Sequence, residues 1–98
     1  MTTITCSELK QKIANNPSTI VIDVREPWEY DEQNIGAKNI PLAEIPSRLD
    51  ELKQLKQDEI IVHCKSGSRS NQAMKYLTQH GFQDVKSLEG GIEAYLTH

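Results

Sequence analysis

Cysteine is scarce in this chain. Only Cys6 and Cys64 occur among 98 residues, and they form no C-x-x-C pair and match no zinc-ligand spacing. That excludes a disulfide framework and a structural zinc site, and no metal or organic cofactor is indicated. Unpaired cysteines fit a reducing compartment. Long apolar runs are also missing, so no segment reaches membrane-spanning length. The first residues, Met1-Thr2-Thr3-Ile4-Thr5-Cys6, lack the basic and apolar blocks of a signal peptide. The expected location is therefore the cytoplasm, a periplasmic one requiring a leader. Positive charge is not in excess. The net charge of −3 argues against non-specific nucleic-acid binding and gives no reason to expect a membrane surface. There is no repeat, low-complexity tract or linker, and the length suits one domain with a thin but adequate core.

What the chain has is a pattern of short apolar runs alternating with helical spacing. Thr2 to Thr5 suits a short edge strand. Ser7 to Asn15 suits a helix with Leu9 and Ile13 on one face, ended by Asn15-Asn16-Pro17. Cys6 falls at that helix start, where a small capping residue is the plain reading and a resolving thiol the minor one. Thr19 to Val24, β-branched and apolar without alternation, suits a strand covered on both faces, and Ile60 to His63, opened by the apolar run Ile60-Ile61-Val62, is the second central strand. Pro27 suits the first position of a short helix through Glu32, with Trp28 as a packing residue. Gly36 marks a turn, Ile40-Pro41-Leu42 an extended piece, and Pro46 opens a helix carrying Leu49, Leu52 and Leu55. Arg69 to His80 is helical through Ala73, Met74 and Leu77, with Gly81 and Phe82 closing it. Val85 to Leu88 is a last strand. Gly90-Gly91 turns into a closing helix with Ile92, Tyr95 and Leu96. The order predicts an α/β fold with a mainly parallel central sheet flanked by helices. Ligands in such folds bind beyond the carboxyl ends of strands.

One loop stands at such an end: His63-Cys64-Lys65-Ser66-Gly67-Ser68-Arg69-Ser70. Small residues at 66–68 let successive amides turn inward, and a helix start backs them. That is an anion site and a setting that lowers a thiol pKa. Lys65 and Arg69 add positive charge. The chemistry suggested is an anionic sulfur nucleophile meeting an anionic substrate, against the plainer reading of Cys64 as a buried cysteine ending a strand. His63 precedes Cys64 on a strand, so their side chains face opposite ways; His63 is read as structural rather than as a base. Arg69 sits on a first helical turn, unfavourable for a cation, and Asp23 or Glu26 would offset that. Asp23 and Arg25 can equally form a pair that fixes the rim.

The ordered set Val21-Ile22-Asp23-Val24-Arg25-Glu26, Glu29-Tyr30, Gly36-Ala37-Lys38-Asn39-Ile40-Pro41, Val62 to Ser70 and Leu88-Glu89-Gly90-Gly91-Ile92 resembles a single-domain rhodanese over nearly the whole chain. The resemblance implies one rhodanese domain over 1–98 and a sulfurtransferase in which Cys64 accepts sulfane sulfur as a persulfide. Lys65, Ser66, Gly67, Ser68 and Arg69 would line the loop that holds it, with Lys65 placed to recognise thiosulfate. The implied partners are a small sulfur-containing anion such as thiosulfate and a protein, small-thiol or cyanide acceptor. Many members read Gly-His-Ile-Pro-Gly-Ala where this chain has Gln33-Asn34-Ile35-Gly36-Ala37, so no histidine acts there. Three alternatives stand beside this reading. One is a persulfide carrier serving a protein partner, and another is a non-catalytic binding module. The third is a phosphatase or arsenate reductase. Cysteine-dependent phosphatases place one residue more between cysteine and arginine than the four, Lys65 to Ser68, found here.

Overall fold

A computed structural model describes residues 2–97. Five parallel strands form one sheet in the order β1-β5-β4-β2-β3. They are β1 (Thr3–Ile4), β2 (Ile20–Asp23), β3 (Lys38–Asn39), β4 (Glu59–His63) and β5 (Asp84–Leu88). The helices are α1 (Cys6–Asn15), α2 (Pro27–Glu32), α3 (Leu49–Leu52), α4 (Ser68–Gln79) and α5 (Gly91–Thr97). No helix among the described residues is long and apolar enough to cross a membrane.

The continuous apolar runs now have their reason. Ile60, Ile61 and Val62 of β4 are each fully buried, because the central strand has helices over both faces. Strand parity divides them. Ile60, Val62, Ile22 and Val85 pack with Ala73, Met74 and Leu77 of α4 and with Leu52 of α3. Ile61 and Val21 face the other way, toward Leu9 of α1 and Tyr95 of α5. Burying each such side chain contributes about 1.5–3 kcal/mol, so β4 is anchored through both faces up to the carboxyl end from which the cysteine loop leaves.

Local signals set the helix starts. Thr5 caps α1: its hydroxyl accepts from the Glu8 amide at 3.2 Å while its own amide donates to Glu8 Oε1 at 2.9 Å. Cys6 is thus the first helical residue and not the cap, and its side chain is buried in the core. Two other expectations shift. The strand anticipated at Ile40–Leu42 lies at Lys38–Asn39, because pairing with Ile22 and Asp23 fixes it; Leu42 begins a 3-10 turn. The helix expected from Pro46 is broken into a 3-10 turn (Pro46–Arg48), α3, and a second 3-10 turn (Lys53–Leu55). Leu52 is its only fully buried leucine, with Leu49 and Leu55 half in.

Candidate active site at the carboxyl edge of the sheet

Strands β2 and β4 are parallel neighbours with Asp23 opposite His63. Their following loops therefore emerge side by side, and two segments distant in sequence share one rim. The second loop curls through Gly67, whose φ of +117° at the N-cap of α4 suits glycine. The curl brings donors onto Cys64. Its Sγ accepts from the Gly67 amide at 3.1 Å and the Ser70 amide at 3.4 Å, and lies 3.6 Å from Ser70 Oγ. Burial pushes the thiol pKa up. The Ser70 hydroxyl and the amides of Ser70, Gly67 and Ser66 outweigh it, and the net shift is below a free thiol.

Ser70 is itself held by a residue that sequence reading passed over. Its Oγ donates to the Gly67 carbonyl at 3.1 Å and lies 2.7 Å from Ser87 Oγ of β5, both hydroxyls being buried. Ser70 has a single hydroxyl hydrogen. When Cys64 is a thiol, its S–H points at Ser70 Oγ and that hydrogen serves Gly67. When Cys64 ionises, that hydrogen turns to the sulfur; Ser87 donates to Ser70 Oγ in both states, and more strongly once Ser70 itself donates to an anion. Ser87 is a positioning residue acting through Ser70. Replacing it by alanine removes the supporting donor, worth about 1 kcal/mol; only the share falling on the thiolate moves the pKa, with roughly 0.7 pH unit as the ceiling. The midpoint of Cys64 alkylation against pH should rise by up to about 0.7 unit, and threonine at 87 should restore it. An unchanged midpoint would show that Ser70 needs no support.

Arg69 forms a two-pronged ion pair with Glu29 of α2, at 2.7 and 3.0 Å. This corrects the expectation of Asp23 or Glu26 as its partner. The reason is tertiary: α2 lies across the rim and turns its third residue to the loop. The Arg69 guanidinium, with burial opposing and the Glu26 amide helping, lowers the Glu29 pKa to about 2. A depressed carboxylate stabilises the fold above its unfolded pKa of 4.5 and loses that contribution as pH falls toward 2. The melting-temperature gap between the native protein and Glu29→Gln should hold above pH 5 and close by about pH 2. A gap independent of pH would mean the pair contributes nothing.

Asp23 and Arg25 bind each other. Nη2 reaches Oδ2 at 2.7 Å and Nε reaches Oδ1 at 3.0 Å, with both side chains buried. Arg25 also donates to the Gln33 carbonyl at 2.7 Å and so ties β2 to the end of α2. Its charge is spent within the scaffold. His63 is fully buried on the face opposite Cys64, with Nδ1 3.4 Å from the Cys64 carbonyl and Nε2 3.7 Å from Asp23 Oδ2. Burial, against the pull of Asp23, lowers its pKa, so it is neutral and turned away from the thiol.

Lys65, Ser66 and Ser68 are exposed. Lys65 makes no ion pair among the described residues. The loop is clamped by α5: Ile92 N donates to the Cys64 carbonyl at 2.9 Å and Glu93 N to the Lys65 carbonyl at 3.2 Å. Gly91 makes this contact possible, and the glycine pair was its only sequence signal. Trp28 departs from expectation: it is 63% exposed, not packed. Cys6 is buried 3.7 Å from the Glu89 carbonyl, and burial raises its pKa, as befits an inert thiol. No cluster of three or more His, Cys, Asp or Glu that could hold a metal occurs among the described residues.

The sequence profile of the Rhodanese-like domain family matches residues 5–98. A sulfurtransferase of Allochromatium vinosum is 35% identical over 96 residues, covering 97% of this chain and 88% of its own. The putative sulfur carrier protein YrkF of Bacillus subtilis is 37% identical over 90 residues, covering 91% of this chain, which spans only 48% of that longer protein. A rhodanese-like domain protein from Staphylococcus aureus superposes with a TM-score of 0.88 at 33% identity, covering 97% of this chain and 91% of that one.

Proposed function

The chain belongs to the rhodanese-like domain family, and from that premise we propose that it transfers sulfane sulfur through a persulfide on Cys64, with thiosulfate as donor. The observation that carries this is the Cys64 sulfur, ringed by amides and a hydroxyl that bring its pKa below a free thiol's. The thiolate attacks the outer sulfur of thiosulfate. One S–S bond forms, the bond to the sulfonate breaks, and its electron pair leaves with sulfite. The negative charge stays on the outer persulfide sulfur, where inward amides act as an oxyanion hole does. A thiolate or cyanide then takes that sulfur and returns the electron pair to Cys64. No general base is needed once the thiol is ionised, which fits a neutral His63 on the far face. Lys65, exposed and unpaired by any carboxylate among the described residues, is the cation that meets the incoming dianion. Ser66, Gly67 and Ser68 form the cradle, and Arg69 holds α2 against it. A thiol that must stay reduced fits the cytoplasm.

The phosphatase reading is weaker. The edge of the Arg69 guanidinium formed by its two terminal nitrogens is taken by Glu29, and only four residues separate Cys64 from Arg69. The similarity to a sulfur carrier favours a second reading, that the acceptor is another protein.

Intact-mass measurement after incubation with thiosulfate tests the mechanism. The native chain should gain one sulfur, lose it to cyanide, and Cys64→Ser should gain none. A reduced native chain that takes up no sulfur would overturn the thiosulfate step, and uptake by Cys64→Ser would move the sulfur to Cys6.

A further inference from the structure

Trp28 on α2 and Leu96 on α5 are the two large apolar side chains left exposed among the described residues, at 63% and 46%. They lie far apart in sequence, yet both line one groove of about 630 Å³. The groove reaches the cysteine loop, because Lys65 forms part of its wall. It is also bound to that loop mechanically, since Ile92 in its floor donates to the Cys64 carbonyl at 2.9 Å. Thiosulfate and sulfite, small and anionic, are served by the loop amides and Lys65 and have no use for apolar walls. Paired apolar side chains around such a groove mark a docking site for something larger.

Charge selects the occupant. Arg25 is neutralised by Asp23 and Glu29 by Arg69. Glu32 and Glu93 remain on the wall, exposed and without an ion pair among the described residues. The groove is thus apolar with an acidic rim and one cation beside the cysteine. A second copy would bring the same two carboxylates and another net charge of −3 against it. Resting on the persulfide mechanism above, we propose that the groove docks a protein acceptor. Its docking segment lays an aliphatic side chain between Trp28 and Leu96 and sets basic residues against Glu32 and Glu93. A flexible stretch then delivers its own thiol past Lys65 to the buried cysteine. The acceptor thiolate attacks the outer persulfide sulfur, the S–S bond breaks, and the electron pair returns to Cys64 while the segment leaves as a persulfide.

Three probes test this on the full chain: acetyl-Lys-Leu-Lys-Gly-Cys-amide, its Glu-for-Lys counterpart, and free cysteine. With Cys64 preloaded from thiosulfate, single-turnover transfer to the basic peptide should be about tenfold faster than to either other probe, and the advantage should shrink as salt rises. Leu96→Glu should bring the basic-to-cysteine ratio close to one; that ratio is insensitive to any general loss of activity. Equal rates for all three probes, or a faster acidic peptide, would overturn the proposal. So would a concentration-dependent dimer in light scattering that Leu96→Glu abolishes, which would give the groove to a second copy. Docking is also read without sulfur. Trp28 is the chain's single tryptophan, so its emission in Cys64→Ser, titrated with the basic peptide ending in serine, should shift and saturate. A flat titration sinks the docking surface even if Cys64 loads. A saturating one with no loading leaves the groove standing and rejects the persulfide.

Discussion

Gly91→Ala should destabilise the fold by about 2–5 kcal/mol and abolish most sulfur loading, because two separate penalties fall on one position. The residue sits at φ +61°, where an L side chain is strained. A methyl there would also lie 2.5 Å from both the carbonyl carbon and oxygen of Lys65, and 2.6 Å from the Cys64 carbonyl oxygen. Those are backbone atoms of the cysteine loop itself, so relief comes only by moving the loop. Any such movement lengthens the bonds from Ile92 N and Glu93 N that clamp it. Gly36→Ala is the control. At φ +85° it meets the same kind of strain, with nothing within 4 Å of the new methyl. Urea unfolding of the two variants separates backbone strain from collision, and the pH midpoint of Cys64 alkylation reports whether the loop moved. If Gly91→Ala were no worse than Gly36→Ala in both, the loop would not be held by α5.

Arg25→Ala is the second large effect. It leaves the Asp23 carboxylate buried without its cation and strips a donor from the Gln33 carbonyl. Breaking a buried pair from one side costs about 3–5 kcal/mol. Replacing both charges removes the orphan, so Asp23→Asn/Arg25→Ala should recover a large part of that loss. The double variant keeps an amide that can still serve the Arg25 backbone N–H, which Asp23 Oδ1 accepts at 2.9 Å. Chemical denaturation of the single and double variants measures the coupling. Additive losses would mean that the two charges do not depend on each other.

Much of this arrangement was legible from residues. The runs Thr19 to Val24 and Ile60 to Val62 announced strands covered on two faces, and Pro27 marked the first residue of α2. The small residues after Cys64 announced an inward-turned loop. What escaped depends on tertiary geometry. A two-residue strand such as β3 carries no periodicity, and only its neighbour fixes its register. The partner of Arg69 is set by how α2 crosses the rim, which the sequence of α2 does not encode by itself. Trp28 was assigned to packing from its size, although a six-residue helix at the rim has one side in water. Ser87 did carry a signal. It shares parity with Val85, which faces α4, so a serine there points at the helix that begins beside the cysteine.

That clamp on the loop has a consequence for synthesis. Cys64 leaves the ribosome ahead of every group that β5 and α5 bring to it. Until those segments follow and dock, Ser70 lacks the Ser87 hydroxyl and the Cys64 carbonyl lacks the Ile92 amide. A nascent chain halted before residue 87 therefore carries the donors to the sulfur, at 66–70, but not the groups that hold their loop in place.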